Sequence, residues 1–89
     1  MIWKDINANS KKLMDNLKRL SFKISTAESC TGGLLSSSIV NNSGASEVFE
    51  KSFITYSNES KIDILKISSH MIKTYGAVSK ETAYSMSLN

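Results

Sequence analysis

Two short β-favouring stretches flank a helix opened by paired glycines, and this arrangement constrains the fold more than any other feature of the chain. Phe22-Lys23-Ile24-Ser25-Thr26 alternates apolar and polar residues over β-formers and predicts a strand. Gly32-Gly33 then opens Leu34-Leu35-Ser36-Ser37-Ser38-Ile39-Val40, which predicts a helix with Leu34, Leu35 and Ile39 inward and small serines that permit close approach. Asn41-Asn42-Ser43-Gly44 is turn chemistry. Val48 to Tyr56 is the second strand, with Phe53-Ile54-Thr55-Tyr56 its strongest part. Strand, helix, strand in succession is a crossover unit of an α/β layered fold. Two strands alone make a poor sheet, because both lateral edges stay unpaired. The pattern therefore resembles the front part of something larger.

Helices surround this unit. Leu13, Met14, Leu17 and Leu20 have the spacing of an amphipathic helix over Lys11–Leu20, with Asn9 or Ser10 as its cap. Ile2, Trp3 and Ile6 point to an earlier packed turn. After the second strand, Ser57-Asn58 caps a helix whose apolar stripe is Ile62, Leu65 and Ile64. Ser68 or Ser69 begins another, ended by Gly76 as a left-handed cap with Lys73 in its last turn. Ser79 caps a final helix, with Val78 and Ala83 as a hydrophobic staple and Ala83, Met86 and Leu88 on its apolar face.

The 89 residues suffice for one small domain, 1–89, with no repeat, linker or proline. A domain of this size buries only about 60–65% of its unfolded surface and is marginal without staples or partners. One cysteine and one histidine build neither a disulfide nor a zinc site, so no metal and no cofactor is expected. The net charge of +3, without a basic cluster, argues against nucleic-acid binding. No apolar run approaches the ~20 residues of a membrane span, and Met1-Ile2-Trp3-Lys4-Asp5 does not begin a secretory signal. A cytoplasmic location is the expectation.

Two segments could carry chemistry. Thr26-Ala27-Glu28-Ser29-Cys30-Thr31-Gly32-Gly33 joins the first strand to the glycine-opened helix. Its glycines let backbone approach a ligand, helix N–H groups favour a developing oxyanion, and a serine on such a turn presents its hydroxyl at the ligand-binding edge of an α/β sheet. The plainer reading is a helix cap in which Ser29 or Thr31 satisfies backbone N–H groups. In the second segment, Tyr56-Ser57-Asn58-Glu59-Ser60-Lys61, a cap at Asn58 puts Lys61 in the first helical turn. That is a poor place for a structural cation, at the positive end of the helix dipole. It suits an amine that must accept a proton, because burial and a positive neighbourhood both favour the neutral form. A Ser-Lys pair is an established nucleophile and base arrangement, and Tyr56 could bond to either member. The plainer alternative is a solvated Lys61 beside a satisfied Tyr56. His70 reads as a surface histidine and Cys30 as lacking a nearby base.

These segments, in this order and separation, resemble the C-terminal domain of the CinA (competence/damage-inducible) family, whose stand-alone members are the nicotinamide-mononucleotide deamidases often called PncC. The resemblance runs from Leu13 to Asn89. Thr26 to Gly33 matches the family's hallmark stretch without a break, and Gly44-Ala45-Ser46, Val48-Phe49-Glu50, Tyr56-Ser57-Asn58-Glu59, Lys61 and Tyr75-Gly76-Ala77-Val78-Ser79 resemble its later landmarks. It implies the N-terminal part of a three-layer α/β/α sandwich, helix-rich with a small incomplete sheet. It also implies amide hydrolysis of nicotinamide mononucleotide to nicotinate mononucleotide and ammonia. By carry-over Ser29 would be the nucleophile, Lys61 the base and later the acid, and Tyr56 an orienting or relay group. Glu28, Cys30, Thr31, Gly32 and Gly33 would hold the substrate, with the amides around Cys30, Thr31 and Gly32 receiving the oxyanion.

The sequence departs from the pattern at Asn41-Asn42-Ser43, where relatives carry a proline before the glycine. The later glycine-rich segment of the substrate pocket and the remaining sheet strands have no counterpart among these residues. The expectation is therefore little or no turnover by the chain alone unless a partner supplies the rest. The alternative reading is a non-catalytic remnant or association module, a homo-oligomer or a chain whose sheet edges are covered by a partner.

Overall fold

The computed structural model describes residues 2–89, which form an α/β chain of five α-helices and a two-stranded sheet. The elements are α1 (Ile2–Leu20), β1 (Ile24–Glu28), α2 (Leu34–Val40), a 3₁₀ turn (Ala45–Glu47), β2 (Phe49–Ile54), α3 (Asn58–Leu65), α4 (Ser69–Tyr75) and α5 (Lys80–Leu88). The Ile24 N–H donates to the Val48 carbonyl at 2.7 Å and the Thr55 N–H donates to the Glu28 carbonyl at 2.8 Å. Low numbers pair with low numbers, so the strands are parallel.

The chain divides into two compact units. The first holds the described residues up to Thr26 together with Gly33–Ser52; the second holds Ala27–Gly32 and Phe53–Asn89.

In the first unit, Met14, Ala45 and Val48 form the buried cluster, with Leu17 packed against it. The helix expected over Lys11–Leu20 begins at Ile2. Ser10 is therefore no cap. It lies buried inside the helix, its hydroxyl donating to the Asn7 carbonyl at 3.1 Å and accepting from Asn42 Nδ2 at 3.3 Å. The same Asn42 amide donates to the carbonyls of Ser38 and Ile39 at the end of α2. One turn side chain thus ties two helices together. The inward stripe of α1 is Ser10, Met14 and Leu17, whereas Ile2, Trp3, Leu13 and Leu20 are exposed.

Helix α2 spans the residues its pattern predicts, but it buries Ile39 and leaves Leu34 and Leu35 exposed. Its inward contact is polar. Ser36 Oγ donates to Ser52 Oγ at 2.8 Å and lies 2.7 Å from Thr26 Oγ1. The small serines do allow close approach, through hydroxyls rather than leucines.

In the second unit, Leu65, Ile67 and Met86 form the buried cluster, joined by Ala27, Met71 and Ile72. The caps follow the sequence: Ser57, Ser68 and Ser79 accept from the N–H groups of Ser60, Met71 and Thr82. Gly76 ends α4 with its N–H on the Ile72 carbonyl, but at φ 86° and ψ 158° it lies outside the left-handed helical region. Its carbonyl is gripped by Thr82 Oγ1 at 2.7 Å and Ser79 Oγ at 3.0 Å. Val78 is 90% exposed and staples nothing, and Met86 is the buried apolar residue of α5. Ile64 and Leu88 face outward too.

Candidate functional site

The parallel register puts the ends of β1 and β2 side by side: Glu28, the last residue of β1, accepts from the Thr55 N–H, one residue beyond β2. Ser29 and Tyr56 are the next residues on each strand. The carboxyl end of a parallel sheet is where α/β folds bind ligands, because chain leaves each strand there with backbone groups not committed to the ladder. Glu28, Ser29, Cys30, Thr31, Gly32, Tyr56 and Lys61 all belong to the second unit; Gly33 belongs to the first.

The Glu28–Gly33 loop is not the helix cap that its hydroxyls would suggest. Gly33 itself caps α2 at φ 103° with no side-chain bond. The Thr31 hydroxyl turns back and donates to Glu28 Oε1 at 2.8 Å. Glu28 is 2% exposed, so the carboxylate that accepts this bond is withdrawn from solvent. Gly32, at φ 57°, takes a left-handed conformation and its N–H donates to the Ser29 carbonyl at 3.0 Å. That turn uses the Gly32 amide and leaves Ser29 half-buried and Cys30 exposed.

Lys61 is the most unusual residue of the site. Ser57, not Asn58, is the N-cap of α3, so Lys61 makes the first intrahelical bond, its N–H donating to the Ser57 carbonyl at 3.2 Å. Its side chain is 1% exposed, the largest fully buried side chain among the described residues. Its amine donates to the Tyr56 carbonyl at 3.0 Å. Among the described residues the ion pair formed is Lys11 with Asp15, and no carboxylate stands against Lys61. Lysines are almost never fully buried without a charge partner. Tyr56 meets Lys61 through its backbone, while its phenol side is turned to solvent at 73% exposure. The Ser29 hydroxyl and the Lys61 amine are not hydrogen-bonded to each other.

Among the described residues no three His, Cys, Asp or Glu side chains gather where a metal ion could bind, and no helix is long and apolar enough to cross a membrane. His70, at an exposed position of α4, lies 3.3 Å from Thr74 Oγ1.

Residues 6–89 match the family model of the CinA C-terminal domain. The chain belongs to this family. CinA-like proteins of Prochlorococcus marinus (strain MIT 9215) and Petrotoga mobilis are 51% identical over 77 residues and 50% identical over 74. These matches cover 86% and 83% of this chain but 18% of each relative. Among solved structures, the competence/damage inducible protein CihA of Agrobacterium tumefaciens superposes with a TM-score of 0.88 at 38% identity, covering 92% of this chain and 50% of that one. The CinA superfamily protein of Escherichia coli gives 0.86 at 31%, covering 91% and 47%. The chain thus spans about half the CinA structures it matches and under a fifth of these curated relatives. Sequence reasoning did not foresee that Glu28 is buried or that Lys61 bonds to the Tyr56 carbonyl. Neither has a signal in composition or spacing.

Proposed function

We infer that this CinA chain carries the Ser-Lys half of a nicotinamide-nucleotide amidase site, hydrolysing nicotinamide mononucleotide to nicotinate mononucleotide and ammonia when the rest of a substrate pocket is present. The observation that carries the reading is Lys61: an amine buried to 1% exposure beside the end of β2, held by one carbonyl and by no carboxylate. Such burial is costly, and a fold tolerates it readily where the amine has work to do as a base.

In this mechanism the Lys61 amine exchanges the Tyr56 carbonyl for the Ser29 hydroxyl and takes its proton. Ser29 Oγ attacks the carboxamide carbon, forming a C–O bond, and the carbonyl π pair moves onto oxygen. The amides of Cys30 and Thr31 receive that oxyanion, since the Gly32 amide is used in the turn. The C–N bond breaks as Lys61 returns the proton to the leaving nitrogen, giving ammonia and an acyl ester on Ser29. Water, activated by the same amine, then releases the acid and restores the hydroxyl. Tyr56 is a positioning residue through its main chain, and Glu28 with Thr31 holds the loop that presents Ser29.

The test separates the nucleophile from turnover. The 89-residue chain is treated with an aryl sulfonyl fluoride and the adduct mapped by mass spectrometry, and ammonia release from nicotinamide mononucleotide is measured in parallel. The expected result is modification at Ser29, reduced at least about 100-fold in Lys61→Met, with ammonia release near background. A folded chain whose Ser29 reacts no faster than its other serines overturns the mechanism. A second reading, a non-catalytic association module, predicts equal reactivity in the wild-type chain and the Lys61→Met variant.

A further inference from the structure

The first compact unit holds a cavity of about 260 Å³ that the amidase reading does not use. Its lining is Lys18, Ser21, Phe22, Lys23, Glu47 and Val48, all of them within that unit. The cavity forms where the chain passes from α1 to β1. The Ser21 N–H donates to the Lys18 carbonyl at 3.2 Å and the Phe22 N–H to the Leu17 carbonyl at 2.9 Å, which closes the last turn of α1. Ser21 takes φ 57° to do so, a conformation that favours glycine. Both amides are spent on the helix, so recognition in the cavity falls to side chains.

Those side chains are of three kinds. Val48, buried in the cluster with Met14, is apolar, and Phe22 adds an exposed aromatic wall. Lys18 and Glu47 meet over Gly44: a Cβ on that glycine would stand 2.5 Å from Lys18 Nζ and 4.0 Å from Glu47 Oε1. They form no ion pair with each other; among the described residues that pair is Lys11 with Asp15. Gly44 thus keeps open a gap with an ammonium on one side and a carboxylate on the other. Lys23 adds a second cation to the lining. A ligand of one sign is repelled by part of this lining, whereas a ligand carrying both signs is complemented by all of it. Two cations and one carboxylate call for two acids and one amine. The volume lies below the ~300–1,000 Å³ of pockets for drug-sized ligands, so the occupant is small.

We propose that this cavity binds a free amino dicarboxylate of the glutamate or aspartate class. Its ammonium rests on Glu47, its two carboxylates on Lys18 and Lys23, and its methylene stem along Phe22. The site uses none of the Ser-Lys residues and stands if that reading fails.

The test titrates the isotope-labelled 89-residue chain with L-glutamate and with L-aspartate and follows its amide resonances. Glutarate, which lacks the ammonium, and inorganic phosphate are run in parallel. The expected result is saturable shifts at residues 18–23 and 47–48 with at least one of the two amino acids, at a Kd below about 10 mM. Glutarate and phosphate should bind at least about threefold more weakly, a modest margin because the charges are partly solvated. Glu47→Gln should abolish the preference over glutarate, and Lys18→Met should raise the Kd at least about threefold. The far-ultraviolet spectrum checks that each variant folds; if one does not, the wild-type preference over glutarate decides alone. The proposal is overturned if neither amino acid saturates, or if the shifts centre on other residues. It is equally overturned if glutarate or phosphate binds as tightly, or if the folded variants bind as the wild-type chain does.

Discussion

Replacing Lys61 by methionine should make the chain more stable while abolishing the reactivity of Ser29, and the magnitude follows from what surrounds the amine. The side chain is 1% exposed and its head group meets one carbonyl, at 3.0 Å from Tyr56. Burying an ion costs several kcal/mol even after relaxation. The single charge-assisted hydrogen bond returns about 1.5–3 kcal/mol. Methionine has nearly the same length and keeps the packing of the aliphatic stem, so the substitution should stabilise the fold by about 1–3 kcal/mol. Urea unfolding followed by circular dichroism is the assay. With a slope of about 1 kcal/mol per molar, as for a small domain, the midpoint should rise by about 1–3 M at unchanged slope. Lys61→Ala, which also empties the space of the stem, should fall at least about 2 kcal/mol below the methionine variant. A midpoint that drops in Lys61→Met at constant slope would refute the reasoning, because it would make Lys61 a stabilising residue rather than one kept for chemistry.

Other expectations are local. Ser57→Ala removes the acceptor for the Ser60 N–H at the start of α3 and should cost about 1 kcal/mol by thermal unfolding; a change within error would mean water replaces the cap. Thr82→Val keeps shape but removes the 2.7 Å bond to the Gly76 carbonyl at a site with no solvent access, for a loss of about 1–2 kcal/mol in urea titration. Gly44→Ala forces a side chain onto φ 79° and should cost about 1 kcal/mol. The new Cβ would stand 2.5 Å from Lys18 Nζ, but that flexible end can swing aside. Adding Lys18→Ala should therefore recover only a few tenths of a kcal/mol, and full rescue would place the cost in the clash instead of the backbone.

Local chemistry in the sequence settled the order of elements and most of their ends. Leu34–Val40 forms the helix its pattern predicts, and Ser57, Ser68 and Ser79 cap the helices they precede. Caps and turns are legible because the bonds that make them lie within three or four residues. The strand bounds differ by one or two residues, at Ile24–Glu28 and Phe49–Ile54, since a ladder stops where its partner stops. The start of α1 was misread for a similar reason. Ser10 looks like a cap, but its hydroxyl is satisfied by its own helix and by Asn42, 32 residues away.

The same division holds at the site. A strand over Phe22–Thr26 leading into the Glu28-Ser29 turn, and a helix capped within Ser57-Asn58, place a hydroxyl and an amine in known local settings, and that much follows from spacing alone. Tertiary structure decided which groups are exposed: Leu34 and Leu35 face outward while serine hydroxyls form the inward contact of α2. It also withdrew Lys61 from water and locked Glu28 under the Thr31 hydroxyl. Burial depends on what packs against a residue from distant parts of the chain, and no periodicity within a single element carries that information.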